Sequence, residues 1–418
     1  MGTAQVREKI GGIKRSLIVF VKWMLLAALA GVLIGMAGTG FLYCVNAVTS
    51  VRQNHAWLVW LLPVSGLLIV FLYRICGVEK SQGTNLVLLA VRSPEPLPFK
   101  MAPMIFVSTV LTHLCGGSAG REGAALQMGG SLGFSVGRLF RLDEKDMHIM
   151  TMCGMSAAFS AVFGAPVAAA VFSMEVVSVG IMYYAALVPC TVAALVATAV
   201  ARQFGEVPEA YYLTEIPALL PLPMFRAVLL AVLCAGLSVV FCFTLKNSAR
   251  LYRKVLENQY FRIAAGGLLV ALLSLIFGTD YLGTGMNVIA GALAGNAKPQ
   301  AFILKLLFTA LTLGAGFKGG EIVPGFFVGA TFGCTAASIL GMNPAFGATL
   351  GLLAVFCGVT NCPLTTLVLG VELFGTKGAP FYLLAAAVSY MLSGYTGLYS
   401  RQKILYSKFK PEFLGDQK

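Results

Sequence analysis

The chain has 418 residues, of which 58% are hydrophobic and only 11% charged, with a mean hydropathy of +0.84; soluble domains carry roughly 25% charged residues. That excludes a water-soluble globule, and the continuously apolar, Ala-, Leu- and Gly-rich runs exclude a β-barrel, which is built from short alternating strands. The formal charge of +13 comes from 30 Lys and Arg against 17 Asp and Glu, but it is gathered in tails and loops, so it is read as a topology signal and not as a nucleic-acid surface.

In chain order, MGTAQVREKIGGIKR places charge before a long apolar run with no small-residue cleavage site behind it, so the first segment is expected to be retained. The sixth residue is not Ser or Thr, so no myristoyl anchor is expected. Leu17 to Val48, Trp57 to Tyr73 and Ala227 to Leu245 reach or approach the roughly 20 residues that span the hydrocarbon core. The chain therefore reads as an all-α, multi-pass membrane protein. Basic residues cluster in an N-terminal tail (Arg7, Lys9, Lys14, Arg15), a central polar loop (Lys246, Arg250, Arg253, Lys254, Arg262) and a C-terminal tail (Arg401, Lys403, Lys408, Lys410). The positive-inside rule puts all three in the cytoplasm and implies an even number of crossings. The ten cysteines are scattered without a CxxC pair, and His55, His113 and His148 lie far apart, so neither disulfide nor metal site is expected. There is no Walker loop, and no cofactor or nucleotide is expected.

Internal similarity at a spacing of about 200 residues organises the chain. GTNLV at 83–87 resembles GMNVI at 285–289. GGSAGREGAALQMGGSLG at 116–133 lies on GFKGGEIVPGFFVGATFG at 316–333, with glycines coinciding at 116/316, 120/320, 129/329 and 133/333. GAPVAAAVFSMEV at 164–176 resembles TNCPLTTLVLGVEL at 360–373, pairing Pro166 with Pro363 and Glu175 with Glu372. Three collinear pairs suggest one membrane domain over 1–418 made of two repeats, 18–203 and 222–400. The polar stretch ARQFGEVPEAYYLTEIP joins them, and 401–418 forms a short tail. An odd number of spans per repeat would invert one relative to the other.

Both members of the second pair set a glycine cluster before an apolar helical run. Glycine permits close backbone approach, and a helix that begins in mid-membrane presents unpaired N–H groups and the positive end of its dipole. Half-helix N-termini of this kind are a recurrent way to bind an anion near the membrane midplane. The plainer reading is close helix packing of the small-xxx-small type. Glu122 and Glu321 lie in these clusters, and an ionisable residue within the membrane is costly enough to suggest function. Ionised, such a carboxylate can itself fill the anion site; protonated, it must leave or become a donor. Ion pairs with Arg121 and with Lys318 are the competing structural readings. Glu175 and Glu372 end their apolar runs, where capping of a helix terminus is expected.

GREGAALQMGG at 120–130 resembles the GREGP motif of the CLC anion channel and transporter family. GGEIVP at 319–324 resembles its GxFxP motif, GLYS at 397–400 its central-tyrosine segment, and GAPVAAAVFSME its NAPLAGxxFxxEE stretch. The resemblance implies a homodimer with one pathway per subunit, inverted repeats with broken helices, Glu122 as gating glutamate and Tyr399 as inner-gate tyrosine. GTNLV stands where chloride carriers of the family have GSGIP, which puts Thr84 or Asn85 at the anion. Glu321 replaces an aromatic residue, and Val176 replaces the inner proton-pathway glutamate. These departures resemble the fluoride/proton antiporter branch. The site implied comprises Glu122 and Glu321 for proton coupling, with Thr84, Asn85, Tyr399 and the backbone around Gly120, Arg121, Gly123, Ile322 and Val323 for the anion. Fluoride is small and a strong hydrogen-bond acceptor, so its site should offer strong donors. The expectation is an inner-membrane exporter of fluoride driven by protons. A chloride-selective transporter or passive channel, and a cation-coupled organic-solute symporter, are the alternatives.

Overall fold

The computed structural model describes residues 3–78, 83–93, 95–206, 211, 213 and 215–415, with side chains from residue 11 onward. Part of the 201–217 connection lies outside the described residues, as do Arg7 and Lys9 side chains.

The first stretch comprises α1 (Thr3–Asn54), a 3-10 turn over Ala56–Leu61, α2 (Leu62–Ile75), α3 (Thr84–Ala90), α4 (Met101–Leu114), α5 (Glu122–Leu139), α6 (Glu144–Phe163), α7 (Pro166–Glu175) and α8 (Leu187–Gln203). The second comprises α9 (Pro221–Val255), α10 (Gln259–Phe277), α11 (Met286–Leu293), α12 (Ala301–Ala315), α13 (Ile322–Ile339), α14 (Pro344–Thr360), α15 (Pro363–Phe374) and α16 (Ala379–Leu392). The only sheet among the described residues is a two-residue parallel pairing of β1 (Ser178–Val179) with β2 (Lys403–Ile404).

At 52 residues α1 is about 78 Å long, well over twice the hydrocarbon thickness of about 30 Å. One structural correction concerns the central basic loop. Lys246, Arg250, Arg253 and Lys254 continue α9 and Arg262 already belongs to α10, leaving only 256–258 outside a helix. Exposed Lys and Arg are good helix formers, so polarity alone does not end a helix.

The repeat relation is visible in local geometry. Helices α5 and α13 have 18 residues each, and α7 and α15 both start on a proline, which suits a first turn whose N–H groups lack helical partners. The residues before those prolines, Ala165 and Cys362, have nearly the same backbone angles (φ −116°, ψ 82° and φ −119°, ψ 76°). Helix α6 starts on an Asp143 cap and α14 on an Asn343 cap, each accepting from an N–H three residues on, at 2.8 Å and 3.1 Å. A methyl group on Gly129 would run into the Gly154 carbonyl, and one on Gly329 into the Gly351 carbonyl. These glycines seat α5 on α6 and α13 on α14, so the packing reading holds inside the helices.

The two repeats meet head to head. Gly120 N–H donates to the Gly320 carbonyl and Gly320 N–H to the Gly120 carbonyl, both at 2.7 Å, in an antiparallel bridge. Two equivalent strands can exchange both bonds only when they run in opposite directions, which is the inverted arrangement. Helix α2 runs antiparallel to α10: Gly66 abuts Ile263 while Gly267 abuts Pro63. The basic α9–α10 junction therefore lies at the same face as the C-terminal end of α2.

Candidate anion and proton site

Helix α5 begins at Glu122 because the glycines at 116, 117 and 120 let the chain turn sharply into the core; Gly116 has φ +83°, a conformation other residues rarely adopt. The first intrahelical bond is Ala125 N–H to the Arg121 carbonyl at 2.9 Å. The N–H groups ahead of it point out of the helix end. The Glu122 carboxylate folds back over that end: Oε2 accepts from Arg121 N–H at 3.1 Å and Oε1 from Arg121 Nε at 3.3 Å. The side chain has no solvent exposure. A carboxylate thus occupies helix-end donors that an anion would use, and the ion pair with Arg121 is present as well. A methyl group built on Gly120 would stand 3.1 Å from Val323 Cβ, 3.1 Å from Pro324 Cδ and 3.2 Å from Glu122 Oε2. The carboxylate is therefore wedged among Gly120, Val323 and Pro324.

On one side of this plug lies a cavity of about 370 Å³, lined by Thr84, Asn85, Gln127, Lys318, Glu321 and Tyr399 together with Arg253 and Arg262. The two arginines belong to the basic α9–α10 face. On the other side lies a cavity of about 400 Å³ lined by Asn46, Arg52, Arg121, Asp280 and Asn287. Residues at the C-terminal ends of α1 and α10 border it, so the two cavities open to opposite faces. Glu122 lines neither.

The expected site residues divide between these places. Thr84, Asn85, Glu321 and Tyr399 come together around the first cavity. The Tyr399 hydroxyl has no protein partner and its ring is 5% exposed. Asn85 Oδ1 accepts from Arg401 N–H at 3.1 Å, so that oxygen is committed to the C-terminal segment. Thr84 Oγ1 reaches the Gly123 carbonyl at a long 3.5 Å, which leaves the hydroxyl able to turn. Ile322 and Val323 open α13, whose first intrahelical bond is Gly325 N–H to the Glu321 carbonyl at 3.1 Å. Pro324, having no N–H, leaves the first two residues as the donors of that helix start. Glu321 makes no ion pair with Lys318, whose ammonium stands 4.6 Å from the centre of the Tyr73 ring.

Two of the expected residues make bonds within the protein. The Gly120 N–H is consumed by the Gly320 carbonyl and cannot serve an anion. The Arg121 side chain lines the second cavity, where Nη1 donates to Asn46 Oδ1 at 3.2 Å. Sequence reasoning also missed Gln127. It is buried five residues into α5 past Glu122 and donates through Nε2 to Thr84 Oγ1 at 3.2 Å. The available signal was a lone amide in an otherwise Ala-, Gly- and Met-rich run, since buried amides need partners.

Val176 ends α7 and its carbonyl accepts from Gln402 Nε2 at 2.9 Å, which also donates to the Thr360 carbonyl at 2.9 Å. Leu398 N–H bonds the Val359 carbonyl at 2.8 Å. Tyr399 is thus flanked by a backbone bond from Leu398 to α14 and by the Gln402 side chain, which ties the segment to the ends of α7 and α14.

The profile of the voltage-gated chloride channel family matches residues 65–394. A chloride/fluoride channel protein of Pseudomonas syringae pv. tomato is 37% identical over 400 residues, covering 93% of this chain and 87% of that protein. An H(+)/Cl(−) exchange transporter, ClcA, of Yersinia pestis is 27% identical over 403 residues, covering 88% of this chain and 82% of that protein. Among solved structures, a CLC-type fluoride/proton antiporter superposes with a TM-score of 0.89 at 31% identity, covering 92% of this chain and 98% of the other. A slow cyanobacterial Cl−/H+ antiporter, at 20% identity and a TM-score of 0.76, covering 89% and 94%, shares the fold.

Proposed function

This chain belongs to the CLC family of voltage-gated chloride channels and their transporter relatives, and from that premise we propose that it is a fluoride/proton antiporter that exports fluoride across a bacterial inner membrane. The observation that carries this reading is the Glu122 carboxylate seated on its own helix end between two cavities that open to opposite faces. While ionised, it holds donors that the anion needs and closes the path. Protonation removes the charge that the Arg121 N–H and guanidinium hold, so the carboxylic acid can swing off and donate a hydrogen bond to an anion instead. Anion and proton then exchange through one position.

Fluoride suits the remaining donors. Thr84, Gln127 and the unpartnered Tyr399 hydroxyl supply strong, compact hydrogen-bond donors around the basic-side cavity, and the Ile322 and Val323 N–H groups open α13 next to Glu321. A larger, weakly hydrated halide gains less from these. Val176 cannot carry a proton, and Glu321 lines the basic-side cavity, which makes it the carboxylate placed to relay a proton or tune the site. The basic face is the cytoplasmic one by the positive-inside rule. Both termini lie there, the two repeats run over 18–203 and 222–400, and the chain works as a homodimer with one pathway per subunit.

The test is fluoride-electrode efflux from proteoliposomes with and without a pH gradient. Fluoride release accelerated by an opposing proton gradient, with stoichiometric proton entry, is the expected result. Chloride flux matching fluoride flux would replace this reading with a chloride carrier, and flux indifferent to pH would replace it with a passive channel.

A further inference from the structure

We propose that the outer cavity is a second anion site, in which a small halide is held by the guanidinium of Arg52 beside that of Arg121 before or after it passes Glu122. Arg52 lies two residues before the C-terminal end of α1. It is 7% exposed, and its Nε has no hydrogen-bond partner. Among the described residues no carboxylate is paired with it. A buried guanidinium without a counter-charge is costly, and so asks for a partner that the protein does not itself provide.

The surroundings are shaped for that partner. The Arg52 stem passes Gly116, where a methyl group would lie 3.4 Å from Arg52 Cδ, and its Nη2 lies 3.5 Å from the corresponding point on Gly283. The cavity it lines, about 400 Å³, has polar walls from Asn46, Thr49, Asn287 and Thr284. Lys305 is fully buried behind the loop that forms one wall; its ammonium donates to the Gly283 carbonyl at 2.6 Å and the Tyr281 carbonyl at 3.1 Å. Those two bonds fix the loop. The one acid lining the cavity, Asp280, is neutralised by Lys298 at 2.8 Å. Arg121 is compensated by Glu122 while Glu122 is ionised, and loses that compensation when Glu122 takes a proton. The attraction of the cavity for an anion therefore rises in the same step that opens the plug.

The inference rests on anion transport through this pathway but not on which halide is carried. Crystals of the full-length protein soaked in bromide are expected to show an anomalous peak at Arg52, absent in Arg52→Met. In vesicles with the anion varied at the outer face, Arg52→Met is expected to raise the half-saturating concentration about threefold to tenfold, the scale of removing one nearby partly screened charge. Asn287→Asp, at an exposed cavity position, shifts half-saturation in the same direction and reports even where Arg52→Met fails to assemble. Because an unpaired buried charge is removed, Arg52→Met should melt at or above the wild-type temperature. No bromide at Arg52, or unchanged half-saturation in either variant, overturns the proposal. If the wild type carries chloride in preference to fluoride, the fluoride reading fails in the wild-type flux alone while the shift in the variants persists.

Discussion

Glu175 and Glu372 each cap the helix that carries the other. Glu175, at the end of α7, accepts from Leu364 N–H at 3.0 Å and Thr365 N–H at 2.8 Å in the first turn of α15, and from the Thr365 hydroxyl at 2.6 Å. Glu372, near the end of α15, accepts from Val167 N–H at 2.9 Å and Ala168 N–H at 2.8 Å in the first turn of α7. Each helix starts on a proline, so these are the first N–H groups it has to satisfy. The reciprocal caps tie the two repeats together at a second place, apart from the Gly120–Gly320 bridge.

Glu175→Ala should therefore lower thermal stability, by about 1–3 kcal/mol for each buried donor left without an acceptor. Glu372→Ala should cost less, because its site is half-exposed and water can replace the carboxylate. Detergent-solubilised protein followed by tryptophan fluorescence on heating reads both. Loss of proton coupling in Glu175→Gln at unchanged melting temperature would contradict a capping role.

Replacing Glu122 by Gln keeps the side chain's size and one acceptor while removing the exchangeable proton. Anion flux should continue or slow, and proton movement coupled to it should vanish when vesicle pH is followed with an internal dye. Full coupling in this variant sinks the assignment of Glu122.

Gly120 is tight against Val323, Pro324 and Glu122 Oε2. A methyl group there crowds all three, and the Glu122 carboxylate, at the end of a flexible side chain, gives way more readily than the Pro324 ring or Val323 Cβ. Gly120→Ala is expected to loosen coupling, giving more anions per proton, with little loss of folded protein on size-exclusion chromatography. Wild-type coupling would show that the carboxylate has room to spare.

Gln127 and Tyr399 both line the basic-side cavity, and the proposed function gives them a role toward the anion. Tyr399→Phe removes a hydroxyl that has no protein partner, so the melting temperature should stay within measurement error while the half-saturating fluoride concentration at the basic face rises. Gln127→Leu should raise it further, by about fivefold to thirtyfold for loss of one buried donor of about 1–2 kcal/mol, because Thr84 also loses its orienting bond. Equal flux curves for wild type and both variants would remove these two residues from the site.

The sequence by itself determined the membrane setting and the two-repeat helical architecture. Apolar runs, the prolines at 166 and 363, and glycines spaced 200 residues apart act locally, through backbone freedom and helix starts, and local signals survive in one dimension. Only the tertiary structure decided which donors are free. Gly120 looked like an anion ligand until its N–H met Gly320; Arg121 turned outward to Asn46; Asn85 turned an oxygen to Arg401; and Gln127 came into play through Thr84. Each of these pairings joins residues separated along the chain, by 43 positions for Gln127 and Thr84 and by 316 for Arg401 and Asn85. A hydrogen bond depends on a few tenths of an ångström and on direction, and such distances arise only when helices that are remote in sequence pack against each other.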